Sequence, residues 1–545
     1  MKIELSKFGG MAPKIDQRVL ADNLSADAFN VSFESGIVGE SNITTIISPD
    51  FPQLSNLTKS ILRPGNTTTR LYFTTATTNQ SFASMLAPND KWGRVYFTRE
   101  DGPRFTVSDN YNAGGLTMNP LSYKLGVPTP AIQPTVGTPA FTYPEGTSED
   151  LTKVAYCFTY VDTYGHEGAP SAPSVIVSLP TDIAFTCKLT FTPENLPEFP
   201  MTDAVRRIYR TTFDGSTSAW QFISDVPISN STWTDTIALG EEAEELISTD
   251  WVPPPTLKEM IPVASAYVAG FHDNFVCYSE AQLPHAWPES YRHPLKYSVV
   301  GLCATQNGLL IATNGKPYWA SGADPASAVP VELDANHPCL SRNSIVDMGG
   351  YVIYASYDGL VAVSGTDVQL ITAPYMDRRT WLSQFSPEKI VAFAHEGRYV
   401  FSVGKVWWMY DPAEQSGYTM LNIPNVTPAT LVQAYYDAQR DTTVLLRNDG
   451  NAFDVIPGSG GAFHWRSKIY QTPPVNFGAI QVLATKYPVT VDVWADGVRT
   501  GYAVLSNRPQ RLVSGVRATE WQFQLNGVGG RISLCLIGTS PREFG

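Results

Sequence analysis

Ser344-Ile-Val-Asp-Met-Gly-Gly-Tyr-Val-Ile-Tyr-Ala-Ser-Tyr-Asp-Gly-Leu-Val-Ala-Val-Ser364 reads as apolar runs separated by two tight turns. Runs of this length, rich in Val, Ile and Tyr and bounded by Gly and Asp, are strand signals. Related blocks run from Val268 to Tyr278, Val299 to Thr313, Ile390 to Tyr410 and Leu431 to Val455. Anchored on the first turn, the markers fall at Gly270, Gly308, Gly350, Gly397 and near Asp441. A period of about 40–45 residues matches one four-stranded blade of a β-propeller per repeat. A repeated strand unit predicts a scaffold before it predicts chemistry.

The bulk composition agrees. Of 545 residues, 43% are hydrophobic and 16% charged, as in a globular chain. Aromatics at 12% favour strands, and 41 Gly with 41 Pro interrupt the chain too often for long helices. An all-β protein of several domains is expected. The net charge is −13 with no Lys/Arg run, the opposite of a nucleic-acid grip, which needs a basic stripe against phosphate. Cys157, Cys187, Cys277, Cys303, Cys339 and Cys535 are widely spaced without a CxxC pair, so free thiols are predicted. The opening Met1-Lys-Ile-Glu-Leu-Ser-Lys-Phe lacks the apolar core of a secretory signal, and no run approaches the length of a membrane span. Synthesis in the cytoplasm without a membrane anchor is expected.

Residues 1–25 read as an extended arm around Phe8-Gly-Gly-Met-Ala-Pro13, and 26–125 as the first propeller strands, with a turn at Ser35-Gly36. Four prolines between Gly126 and Pro139 mark a boundary. The short strands that follow, including Val154–Val161, Val205–Thr212 and Trp220–Val226, make 126–255 an inserted sandwich of fibronectin type III character. Its one expected helix is the acidic run Gly240–Ser248. Val252-Pro-Pro-Pro-Thr256 returns the chain to the main blades, 256–470. Residues 471–545 read as a C-terminal β-domain, with a hairpin turning at Asp496-Gly497.

The motifs of catalysis are absent. Seven histidines, at 166, 272, 285, 293, 337, 395 and 464, show no metal-binding spacing and read as surface or turn residues. His395 and Glu396 are adjacent, so on a strand they point to opposite faces. Gly308 to Gly315 followed by Lys316-Pro317 has the wrong length and a Pro where a phosphate loop needs a hydroxyl. Gly458–Gly461 is a glycine-rich loop without the strand and helix of a dinucleotide site. Ser356-Tyr-Asp358-Gly359 and Thr212-Phe-Asp214-Gly215 fall short of a sialidase Asp-box and read as type I′ turns. Trp287, Trp319, Trp407 and Trp408 either stack on sugars or pack between blades; packing is the expected role. No catalytic, cofactor or metal residue is assigned.

Lys7-Phe-Gly-Gly-Met-Ala-Pro13, Tyr278-Ser-Glu-Ala-Gln-Leu-Pro-His-Ala-Trp-Pro288, Gly315-Lys-Pro-Tyr-Trp-Ala-Ser-Gly-Ala-Asp-Pro325 and Cys339-Leu-Ser-Arg-Asn-Ser-Ile-Val-Asp-Met-Gly-Gly350 carry a resemblance. Through them the chain resembles the tail nozzle (tail tubular protein B, or tail hub) proteins of short-tailed bacteriophages, most closely over 260–370. The resemblance implies a β-propeller subunit of a homohexameric ring in the virion tail, with adaptor or portal-side proteins and tail fibre or needle proteins as neighbours. It further implies that DNA passes through the ring during ejection without specific binding. Six copies would gather about 78 negative charges around one axis, which keeps DNA from adhering to the wall. Phe8, Gly9, Gly10, Met11 and Pro13 are the expected subunit contacts, and deleting residues 1–20 is expected to block assembly yet leave a soluble fold. The alternative is a carbohydrate-binding or glycan-cleaving propeller, with aromatics and carboxylates gathered in an axial pocket. An unrelated monomeric interaction module is the third reading.

Overall fold

A computed structural model describes residues 1–52, 54–63, 69–74, 82–84, 90–111, 115–146, 149–213, 218–413, 417–437, 440–459, 461–512 and 515–544. The chain is mostly β and builds many small antiparallel sheets. It divides into two compact units: 1–75, 300–320 and 330–545 form the first, 76–299 and 321–329 the second.

In the first unit, four-stranded antiparallel sheets follow one another along the chain. Val346–Asp347, Val352–Ala355, Leu360–Ser364 and Asp367–Leu370 make one, in that order across the sheet. Ala392–His395, Arg398–Val403, Val406–Tyr410 and Tyr418–Leu421 make the next antiparallel set of four, which continues through Asp27–Phe29, parallel to Tyr418–Leu421, into a ten-stranded sheet. Leu431–Asp437, Thr442–Arg447 and Ala452–Pro457 form three strands of another, and Ile43–Ile47 from near the N-terminus supplies the fourth. Central strands are buried on both faces, as Val352–Ala355 and Gly308–Thr313 are, because their sheets are covered on both sides. This explains why these strands read as continuous apolar runs.

The two ends of the chain share a domain. Lys2–Leu5 and Ile37–Glu40 pair with Arg531–Gly538, which also pairs with Ala479–Ala484. Asp27–Phe29 pairs with Ala462–Arg466, and this in turn with Ala518–Val528 and, beyond it, Val489–Ala495. Ile3, Leu5, Phe8, Met11, Val31 and Phe33 are buried in one core with Trp465, Phe477, Trp521 and Phe523. Residues 1–40, expected as an arm and first propeller strands, are thus strands and core of the C-terminal β-domain. Local patterning reports that a segment is a strand but not which distant strand completes its hydrogen bonds. The hairpins expected at Ser35-Gly36 and Asp496-Gly497 are present, with all four residues at positive φ as a type I′ turn requires.

The second unit holds four-stranded sheets of its own, among them Glu259–Val263, Tyr267–His272, Phe275–Tyr278 and Arg292–Pro294. The marker Gly270 lies inside Tyr267–His272 rather than at a turn. A Cβ there would lie 2.6 Å from Leu257 Cδ1, so glycine answers to close packing, and the turn is made by Ala264-Ser265 at positive φ. Within 126–255 two layers of strands share one core. Tyr156–Val161, Val205–Phe213 and Ser218–Pro227 form one layer, and Phe185–Thr190 with Thr232–Asp235 lies in the other. Phe185–Thr190 alternates strictly between buried and exposed residues, the period of a strand with one face in a core. That core joins Tyr156, Phe158, Tyr160, Leu189 and Ile208.

The helix expected at Gly240–Ser248 does not form. The segment runs beside Ser218–Pro227, with Phe222 N donating to Glu244 O, Ala243 N to Phe222 O and Leu246 N to Trp220 O. Glu242 is drawn to Arg210, a fully buried guanidinium that also bonds Asp235 Oδ2 at 2.6 Å and the Ile237 carbonyl at 2.9 Å. Pairing a buried cation outweighs the small propensity for one helical turn. The helix that does form is Arg378–Gln384, capped by Asp377 accepting from Thr380 N at 2.9 Å and anchored by buried Trp381. None of the six cysteines is in a disulfide, as expected; Cys157, Cys187, Cys277, Cys339 and Cys535 are buried and Cys303 is half-buried. Among the described residues no helix is long and apolar enough to cross a membrane.

Phe8 meets Trp465 edge-on at 4.9 Å and is 2% exposed. Phe8→Ala is expected to lower the unfolding free energy by about 3–5 kcal/mol, read by urea denaturation. A loss under about 1 kcal/mol would place the arm outside the core. For the same reason, deletion of residues 1–20 is expected to cost solubility as well as assembly.

Candidate functional site

Hairpin turns of three successive sheets in the first unit surround a cavity of about 680 Å³. Its lining includes Asp347, His395, Glu396, Tyr436, Asp441 and Thr442, with Val346, Phe393 and Val455 supplying apolar wall. Among the described residues no Lys or Arg lines it.

Each acidic residue is placed by turn chemistry. Glu396 and Gly397, both at positive φ, close the tight hairpin between Ala392–His395 and Arg398–Val403. Asp347 Oδ1 accepts from Gly349 N at 2.9 Å, so its side chain shapes the turn after Val346–Asp347. Asp441, at φ 48°, accepts from the Tyr436 hydroxyl at 2.8 Å, and Tyr436 remains 56% exposed. Glu396 accepts from Asn42 Nδ2 at 2.8 Å and lies 3.6 Å from Arg398, itself held by Asp411 at 3.2 Å. Burial pushes the His395 imidazole below its ordinary value, against the opposing pull of Glu396 and Asp441, which favours a neutral ring in the wall. The result is a pocket of acceptor oxygens, hydroxyls and one exposed ring. It suits a ligand rich in hydrogen-bond donors.

Behind it, a charge network fixes the strand ends. Arg440 bonds Asp50 at 2.6 Å and Asp454 at 3.0 Å, Arg63 reaches both Asp50 and Asp437, and Arg70 Nη1 lies 3.8 Å from Asp50. Asp454 is fully buried. Arg440 immediately precedes Asp441, so the network sets the position of the pocket's third carboxylate.

The residues singled out as subunit contacts lie elsewhere. Phe8, Gly9, Gly10 and Met11 are buried within the first unit, and Pro13 is half-buried. Trp465 Nε1 donates to Gly9 O at 2.8 Å, and Met11 exchanges backbone hydrogen bonds with Tyr418 at 2.7 and 3.0 Å. Trp287, Trp319 and Trp407 are buried, so none of the three offers a face to a sugar, and Trp408 is half-buried against Phe385. Gly308–Thr313 is a strand, and Lys316 bonds Asp334 at 2.8 Å rather than facing a phosphate loop. Asp358 pairs with Arg378 and His337, and its φ is not positive, so Asp358-Gly359 is not a type I′ turn. Asp214-Gly215 lies outside the described residues. His166 and His285 lie in a loop and a turn, but neither is at the surface, since each is only 4% exposed. Asp347 and Tyr436 were not anticipated in a site; the available signal was that the turn at each repeat marker from 347 onward carries an acidic residue.

No family model matches the chain, and no curated protein matches it. Among solved structures it is similar to apo AztD from Citrobacter koseri, at 9% identity over 56% of this chain and 80% of that one, with a TM-score of 0.27. It is similar to BBS1N in complex with ARL6DN, at 12% identity over 51% and 85% with a TM-score of 0.26. A third likeness is to the extracellular domain of BT4673 from B. thetaiotaomicron, at 11% identity over 93% and 97% with a TM-score of 0.21.

Asp454→Ala leaves Arg440 short of a buried partner and is expected to cost about 3 kcal/mol in urea denaturation. The loss should be accompanied by faster hydrogen exchange around residues 440–443. A change below about 1 kcal/mol would assign the network to the solvated surface.

Proposed function

We propose that this protein is a structural subunit of a phage tail nozzle, a ring at the distal end of a short tail through which DNA leaves. The observation that carries the reading is the run of four-stranded antiparallel sheets, the last of which takes its fourth strand, Ile43–Ile47, from the other end of the chain. A closed circle of blades must join its first and last members, and a borrowed strand does so without leaving an open edge. The two-layer insertion, read as a fibronectin III-like sandwich, adds a second face for neighbours, which a cyclic assembly needs. The tail-protein-like phrases between 260 and 370 and the net charge of −13 support the same reading. The buried residues 8–11 do not serve it as contacts, so the inserted sandwich and exposed sheet edges are the surfaces favoured for ring formation.

Native mass spectrometry across micromolar concentrations, with and without the adaptor protein of the same tail, tests this proposal. A six-fold species, alone or on adaptor addition, is expected. A strict monomer that ignores the adaptor would overturn it.

One observation favours a second reading, a glycan-binding propeller: the cavity bearing Asp347, Glu396, Asp441 and Tyr436 has the mix of carboxylates and exposed ring that sugar hydroxyls and C–H faces require. Under it, a glycan array should return binders whose affinity falls at least about tenfold in Tyr436→Ala, the loss of one good aromatic contact. An empty array at high micromolar protein removes this reading and leaves the first untouched.

A further inference from the structure

The second unit buries a pair of histidines that none of the readings above employs. His166 lies in the loop after Tyr156–Val161, at the root of the inserted sandwich, and His285 in the loop between Phe275–Tyr278 and Arg292–Pro294. Their rings stack at 4.4 Å with 29° between planes, and each is 4% exposed. Asp162 folds the sandwich loop by accepting from Tyr164 N at 2.8 Å and His166 N at 2.9 Å. Its second oxygen lies 2.8 Å from His166 Nδ1. Nε2 of His166 faces the Arg94 guanidinium, and since arginine only donates, this nitrogen accepts and the proton sits on Nδ1 toward Asp162. Arg94 is in turn fixed by Asp90 at 2.7 Å.

His285 differs from its neighbour in having no side-chain partner for either ring nitrogen; the Glu167 backbone is the hydrogen-bonding group beside the ring. The groups that face it are the His166 ring, the Arg94 guanidinium, the Trp251 indole at 6.1 Å and the Glu167 backbone. No carboxylate accompanies the ring directly, and the nearest fixed charge is a cation. Burial foremost, then His166 and Arg94, hold the His285 imidazole well below its ordinary 6.5. The ring also sits where several chain segments converge. Ala169 N donates to Trp251 O at 3.1 Å and Trp287 N to Val252 O at 2.9 Å, tying the loop after His166 to the 251–252 end of the insertion, and that end to the segment that carries His285.

We propose that the His166–His285 stack is a protonation-sensitive latch, which fastens the root of the inserted sandwich while His285 is neutral and releases it on acidification. The sign follows from linkage. An opened His285 binds a proton below about 6.5, whereas the closed ring excludes it. The latch is therefore at full strength above that pH, and its opening equilibrium rises by up to about tenfold for each pH unit below it. What is released is the loop 162–169 and the 283–287 segment, not the sandwich core, whose layers are joined by their own apolar contacts.

Hydrogen exchange on the full-length protein from about pH 7.5 to about pH 5, corrected for intrinsic rates, tests the latch. In the wild type, opening of peptides covering 160–170 and 280–290 should rise steeply below about pH 6.5, while a peptide covering 185–190 changes little. His285→Phe keeps an aromatic stack that cannot titrate and should flatten the pH dependence of both peptides. Should His285→Phe fail to fold, His285→Gln, neutral throughout, takes its place with the same expectation. A wild type without the rise, or a non-titrating variant with the same rise, would overturn the proposal.

Discussion

The indole N–H of Trp465 bonds the carbonyl of Gly9, and the first ring beside that indole is Phe8. This contact stands for the constraint on which the first unit depends: the beginning and end of the chain build one core. Lys2–Leu5 has no sheet of its own and gains its hydrogen bonds only from Arg531–Gly538. The same N-terminal stretch runs on through Asp27–Phe29, which joins Tyr418–Leu421 to Ala462–Arg466 within one ten-stranded sheet. It then delivers Ile43–Ile47 as the closing strand of another sheet. One segment of fewer than fifty residues thus fastens three sheets together. The apolar side chains it buries are the reason it stays in place.

Charge is used sparingly inside the protein and always in company. Arg210 sits in the sandwich with Asp235 and Glu242, and Asp235 also accepts from the Tyr156 hydroxyl at 2.8 Å. Glu167 accepts from Thr159, Tyr209 and Ser248 and pairs with Arg207 at 3.1 Å. Such clusters contribute little net stability against apolar replacements, but a strand shifted in register would strand a charge without its partner. They therefore select one alignment among several that apolar alternation alone would tolerate. His285, by contrast, is a buried polar ring with no carboxylate beside it.

Local features of the fold were legible because their causes are local. Ser35-Gly36, Glu396-Gly397 and Asp496-Gly497 announce tight hairpins, since few residue pairs tolerate two positive φ values in succession. The five buried cysteines and the buried tryptophans follow from the apolar runs that contain them. What the residues do not announce is partnership at a distance. Nothing in Ile43-Thr-Thr-Ile-Ile47 names Ala452–Pro457 as its neighbour, and the acidic run 240–248 has a helical look that only Arg210 and the strand Ser218–Pro227 override. The candidate pocket failed to appear for the same reason. His395 and Glu396, read as pointing to opposite faces of a strand, line one pocket because Glu396 stands in the turn at positive φ, and Asp347 and Asp441 approach them from two other sheets.

The sharing of one core by both chain ends sets the order of events during synthesis. Lys2–Leu5 is made long before Arg531–Gly538, the strand on which it docks. Its apolar residues Ile3 and Leu5 wait in the open while the intervening sheets fold behind it. A nascent chain halted before residue 531 therefore keeps an exposed apolar leader, the feature by which chaperones and proteases distinguish an unfinished product from a finished one.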